Sequence, residues 1–123
     1  MKQAPRIVIA DDTSDFRYVL RQILELEGFD VVGEASDGEQ AVALVAAQHP
    51  DAILLDLRMP NLSGADAVPR IRAAWPKTKI VVLSGFPEQQ RLVQSLGVDA
   101  VALKGTELDQ IVETLNELIN RDG

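Results

Sequence analysis

The sequence predicts an α/β fold: a single doubly wound (βα)5 domain built on a parallel five-stranded sheet. Two observations predict it. Short, almost wholly apolar runs recur along the chain, and stretches with apolar residues three and four apart lie between them. That alternation is the pattern of a sheet with helical crossovers. The length, 123 residues of which 46% are apolar, suits one domain with one real core.

The elements follow in order. Arg6–Ala10 reads as a first strand, apolar enough to be buried on both faces. The first helix carries Phe16, Val19, Leu20, Ile23 and Leu24 at helical spacing, and Gly28 sits where it should stop. Val31–Ala35 is strand two, Gly38–His49 an alanine-rich helix ended by Pro50, and Ala52–Asp56 strand three. After the loop Leu57–Leu62, Ser63 and Asp66 can open a third helix as a capping box. Pro69 predicts a kink or a late start there, because past the first turn it removes a backbone bond. Lys79–Leu83 is strand four, Pro87–Ser95 a short fourth helix and Ala100–Leu103 strand five. A fifth helix starts at Thr106 and carries Leu108, Ile111, Val112, Leu115, Leu118 and Ile119. With no linker, repeat or low-complexity tract, the expectation is one domain over residues 1–123 and no effector domain.

Composition excludes several functions. Without cysteine there is no disulfide framework, thiolate zinc site or cysteine nucleophile. Net charge is −7, from 12 Lys and Arg against 19 Asp and Glu, and an acidic surface repels phosphate backbones, so direct nucleic-acid binding is not expected. No apolar run approaches the ~20 residues of a membrane span, and the N-terminus does not read as a signal peptide. A cytoplasmic location is the expectation.

Polar residues gather at strand ends. Asp11 and Asp12 close strand one, Asp56 strand three, Ser84 strand four and Lys104 strand five. In open sheets of this kind ligands bind beyond the carboxyl ends of the strands; in the flavodoxin-like order 2-1-3-4-5 the first and third strands are neighbours, so the three carboxylates converge. Like charges that close raise one another's pKa, and a divalent cation resolves the conflict. An all-oxygen ligand set suits Mg²⁺. One carboxylate can then act as nucleophile, with metal, lysine and hydroxyl stabilising a phosphoryl group in transfer. Taken singly, each residue has a plainer reading: a strand-end Asp as helix cap, Ser84 as turn residue, Lys104 as solvated charge. It is their conjunction that points to one site. His49 reads as a helix-end residue without partners, and Trp75 beside Pro76 as packing.

These residues resemble the response regulator receiver family from about Arg6 to Asn120. The resemblance rests on Asp11-Asp12, on Asp56-Leu57-Arg58-Met59-Pro60 with Ser63-Gly64, on Ser84-Gly85 and on Lys104. The wording of strands two to four is most similar to receivers that precede a helix-turn-helix output domain. The resemblance implies that Asp56 is phosphorylated by a phosphohistidine on a sensor kinase or histidine phosphotransfer protein. It implies Mg²⁺ bound by Asp12 directly, by Asp11 through water, by Asp56, and by the backbone carbonyl of Arg58. Ser84 and Lys104 are implied to contact phosphoryl oxygens. The surface of the fourth helix, strand five and the fifth helix is implied to switch and act on a downstream effector domain or protein, with transcription as output and room for a phosphorylation-dependent dimer. The chain would catalyse only its own phosphorylation and dephosphorylation.

Three departures from the family pattern stand out. Val101 replaces an aromatic residue three positions before the lysine, Gly105 replaces a proline after it, and Phe86 is bulkier than usual two places beyond Ser84. Other readings fit less well. A flavin module wants a Ser/Thr/Gly-rich phosphate loop after strand one, and a cobalamin module an Asp-x-His-x-x-Gly; neither is present. An aspartyl-phosphate hydrolase wants an acid two residues beyond the nucleophile, where Arg58 stands. A receiver-like interaction module that works without phosphorylation should have lost a site residue, and this chain keeps all five.

Overall fold

The computed structural model describes residues 3–85, 95–104 and 108–121. Five strands form one parallel sheet: β1 (Arg6–Ala10), β2 (Asp30–Ala35), β3 (Ala52–Asp56), β4 (Lys79–Ser84) and β5 (Ala100–Leu103), in the order β2-β1-β3-β4-β5. The described helices are α1 (Ser14–Leu26), α2 (Gly38–Gln48), α3 (Gly64–Ala74) and the C-terminal α4 (Leu108–Arg121). Strands one, three and five have the bounds the sequence predicts. Of the expected fourth helix, Pro87–Ser95, all but Ser95 lies outside the described residues, as do the expected start of the fifth helix at Thr106, Gly105 and Phe86.

Alternation along the strands sorts the core into two layers. Ile7, Ile9, Leu54, Val81 and Leu83 face α1 and α4, meeting Leu20, Leu24, Ile111 and Leu115. Val8, Ala10, Ile53, Leu55, Ile80 and Val82 face α2 and α3, meeting Ala41, Val45, Val68 and Ile71. Both faces of the central strands are therefore dry, which is why they read as unbroken apolar runs.

Helix ends follow their local chemistry. Gly28, at φ 93, lets α1 close by hydrogen bonds from its own N–H to Glu25 O and from Phe29 N–H to Leu24 O. Ser63 caps α3 by accepting from Asp66 N–H at 3.1 Å. The helix begins at Gly64 and continues past Pro69, so the late start is corrected. His49 ends α2, as expected, but its lack of partners is corrected. It is not partnerless: it turns the chain in the left-handed region at φ 48, and its ring stacks on Trp75 with centroids 4.1 Å apart.

On the edge strand β2, Glu34 receives hydrogen bonds from Arg17 and Arg21 of α1. Register slips by one residue where β2 meets β1, between Ile7 and Val8.

Gly64 closes the Asp-x-x-Met-Pro-x-x-x-Gly stretch. A Cβ there would collide with the Asp56 carbonyl oxygen and lie 2.8 Å from Leu57 Cα. This glycine is needed for close approach of α3 to the end of β3. Gly64→Ala should lose about 1–3 kcal/mol, the usual cost of overpacking, whereas Gly85→Ala, with open space at its Cβ, should stay within about 0.5 kcal/mol of wild type. Urea unfolding of the two variants checks this.

Candidate functional site

β1 and β3 are neighbours, with Ala10 paired to Leu55, so Asp11 and Asp56 leave adjacent strands at almost one level. Asp12 follows one residue on. One carboxylate oxygen from each of Asp11, Asp12 and Asp56 lies within 4.8 Å of the others. Lys104 joins them from β5, its Nζ 2.6 Å from Asp11 Oδ2 and 3.2 Å from Asp56 Oδ2. Its backbone N–H donates to Ser84 O at 2.7 Å, which ties the ends of β4 and β5 together. Ser84 is buried there, one residue beyond Leu83, the β4 partner of Asp56.

The three carboxylates differ in setting. Asp11 is fully buried; its Oδ1 accepts from Thr13 N–H at 2.8 Å, which leaves Oδ2 to the lysine. Asp56 is 7% exposed, and its Oδ1 accepts from Arg58 N–H at 3.2 Å. Asp12 is exposed. Thr13, not Asp12, holds the capping position of α1, so the plain reading of Asp12 as a helix cap does not fit.

Burial pushes the Asp56 carboxyl above the usual carboxylate range; the Arg58 N–H opposes this, Asp11 adds to it and Lys104 opposes it. For Lys104, burial favours the neutral amine, but the adjacent carboxylates of Asp11 and Asp56 outweigh it and hold the ammonium above its ordinary value. One cation is thus shared by two carboxylates, with a third beside them, and a net negative charge is left over. Three hard oxygens at this spacing suit a small divalent cation better than a soft metal.

Two contacts here had no signal in the sequence. Lys104 Nζ lies 4.8 Å from the centroid of Phe16, a residue readable only as part of an apolar helix stripe, at the distance of a cation–π contact. Arg17 donates to the backbone carbonyl of Asp11, bracing the acidic turn. The side chain of Val101, where an aromatic residue was noted as missing, is half-buried against the layer that contains Val82.

Comparison with known proteins agrees with this fold. The family model for the response regulator receiver domain matches residues 7–116. The chemotaxis protein CheY of Thermotoga maritima is 31% identical over 92% of this chain and 96% of its own length. The transcriptional regulatory protein DegU of Brevibacillus brevis is 35% identical over 89% of this chain but 48% of its own length, so the chain spans about half of that relative. The signal receiver domain of the response regulator NarL from Mycobacterium tuberculosis has a TM-score of 0.89 and 30% identity, covering 97% of this chain and 98% of that one.

A stability test follows from the charge balance. The folded state binds the Asp56 proton more tightly than the unfolded chain does, so the anion costs stability above the folded pKa, and that cost fades as pH falls through it. In chelator at neutral pH, Asp56→Asn should therefore melt above wild type, and Asp12→Ala should do so by relieving like charge. The Asp56→Asn advantage should shrink as pH falls toward about 4, near the unfolded pKa. Thermal unfolding across a pH series decides it; an advantage independent of pH contradicts the account.

Proposed function

The chain belongs to the response regulator receiver domain family, and on that premise we propose that it accepts a phosphoryl group on Asp56. The donor is a phosphohistidine of a sensor kinase or histidine phosphotransfer protein. The observation that carries the reading is the meeting of three carboxylate oxygens and one ammonium at the carboxyl edge of the sheet.

An Asp56 carboxylate oxygen forms the new bond to phosphorus. The phosphorus–nitrogen bond of the donor breaks, and its electron pair stays with the imidazole nitrogen, which is then protonated. Mg²⁺ held by Asp11, Asp12, Asp56 and the Arg58 carbonyl would supply charge neutralisation for the transferring oxygens. Asp11 and Asp12 fix the negative charge that holds such a cation. Ser84 donates a hydrogen bond from its hydroxyl to one phosphoryl oxygen, and Lys104, kept charged by its neighbours, moves from the carboxylates to another.

That movement couples chemistry to output. Lys104 stands at the end of β5 and Ser84 at the end of β4, so new bonds from both pull on β5, on α4 and on the segment between β4 and β5. Val101 offers no aromatic ring to follow them, so the coupling rests on Ser84 and Lys104. Relatives such as DegU are transcriptional regulators of about twice the length, which supports transcription as the output, exerted through an effector domain or protein and a phosphorylation-dependent dimer. The match over residues 7–116 supports residues 1–123 as one receiver domain. Its catalysis is limited to its own phosphorylation and dephosphorylation. No helix among the described residues is long and apolar enough to cross a membrane, and we place the chain in the cytoplasm with its phosphodonor.

With acetyl phosphate, intact-mass measurement should show one phosphoryl group on wild type in Mg²⁺, and none on Asp56→Asn or in chelator. Equal labelling of wild type and variant would remove Asp56 from its role.

The lifetime of the phosphorylated state gives a second test. Arg58, exposed two residues beyond Asp56, only donates hydrogen bonds and cannot accept a proton from an attacking water. Phe86, its expected counterpart, lies outside the described residues. Arg58→Asn should speed loss of the phosphoryl group about tenfold, equivalent to roughly 1.4 kcal/mol of barrier. An unchanged decay rate would show that water access at residue 58 does not set the lifetime.

A further inference from the structure

The loop from Leu57 to Ser63 leaves Asp56 and returns as α3, and midway it is gripped from a distant part of the chain. Asp37 caps α2, its Oδ1 accepting from Gln40 N–H at 2.8 Å. Its other oxygen, Oδ2, accepts from the side-chain amide of Asn61 at 2.7 Å, across 24 sequence positions. Asp37 is only 8% exposed. Asn61 stands at φ 67, in the left-handed region that asparagine tolerates better than most residues but does not choose unaided. Next to Asp37, Gly38 presses on the same loop: a Cβ there would collide with the Leu62 carbonyl oxygen and lie 2.7 Å from its carbon. A hydrogen bond, a left-handed residue and a close approach thus register Asn61 and Leu62 against α2. Arg58, three residues upstream of Asn61, gives its N–H to Asp56 Oδ1.

We infer that Asp37 is a positioning residue for the phosphoryl site: acting through Asn61, it holds the loop so that the Arg58 backbone serves Asp56 and its cation. The inference rests on the phosphoryl-transfer reading above and adds a residue to it. Asp37 touches none of the reacting atoms. Partners that orient a metal's ligands change affinity by roughly 10–100-fold when removed; Asp37 acts one link further out, so about tenfold weaker Mg²⁺ binding is expected, with slower labelling by acetyl phosphate.

The test measures Mg²⁺ affinity by calorimetry and the labelling rate of Asp56 on the full chain. Asp37→Ala removes the acceptor. Asn61→Gly removes the amide yet keeps the left-handed backbone, so it carries the test alone if Asp37→Ala fails to fold. Asp37→Asn removes the charge and keeps both contacts: its amide oxygen caps Gln40 N–H, and its NH₂ donates to Asn61, whose exposed amide reverses to accept. Arg70→Ala breaks the exposed Arg70–Glu39 pair between the same two helices and reports general loosening. The expected result is weakened Mg²⁺ binding and slowed labelling in Asp37→Ala and Asn61→Gly, no further loss in their double variant, and near-wild-type behaviour of Asp37→Asn and Arg70→Ala. An Asp37→Asn variant as impaired as Asp37→Ala would show that charge and not the tether matters. An equally impaired Arg70→Ala, or an Asn61→Gly that matches wild type, would also overturn the inference. A wild-type chain that neither binds Mg²⁺ nor labels would instead overturn the phosphoryl-transfer reading itself, and the inference with it.

Discussion

Asp11 and Asp56 share one ammonium at the carboxyl edge of the sheet, with Asp12 beside them in water. Much of the structure follows from what it takes to keep like charges this close. The strands beneath must be stiff, and both faces of β1 and β3 are filled by apolar side chains with essentially no exposure. The turn after β1 must be tied, and Thr13 and Arg17 tie it. The loop after β3 must be held from its far side, as Gly64 against the backbone of Asp56 and Asp37 on Asn61 do. Repulsion within the cluster is a cost the fold bears, and under the proposed function it leaves a place for a cation or a phosphoryl group.

The fold was legible because each strand is short, apolar and bounded by turn residues, and because four strand ends carry complementary chemistry. Arg6–Ala10, Ala52–Asp56 and Ala100–Leu103 were read to the residue. What stayed hidden depends on contacts between residues far apart in sequence. An Asp before a helix reads as a cap, which Asp37 is; nothing local announces that its second oxygen reaches Asn61. Phe16 reads as one more apolar residue of a helix stripe, although its ring face meets Lys104. Pro69 misled because its missing N–H is a local cost, while Val68 and Ile71 on either side of it are buried on the sheet and hold the helix there. The partner of His49 was hidden for the same reason, although its place at the helix end was legible: Trp75 is distant in sequence and adjacent in space.

The two layers of the core divide the work unequally. The α2–α3 side holds the loop beyond Asp56, by the Asp37–Asn61 hydrogen bond and the close approach of Gly38. The α1–α4 side meets the lysine: Phe16 of α1 faces Lys104, and α4 packs on β4 and β5. A change in where Lys104 points would therefore be felt first on that second layer, while the loop beyond Asp56 stays anchored by the first.

The edge strand β2 carries a further consequence. An unpaired strand edge is a template on which another chain can add, and the hazard grows with protein concentration. Here Asp30 and Glu34 put charge at two of its six positions, Gly33 weakens its propensity, and the register slip against β1 bends the ladder. Stacking two such edges in register would set Glu34 against its own copy. The charges at Asp30 and Glu34 thus work against a second copy adding to this edge.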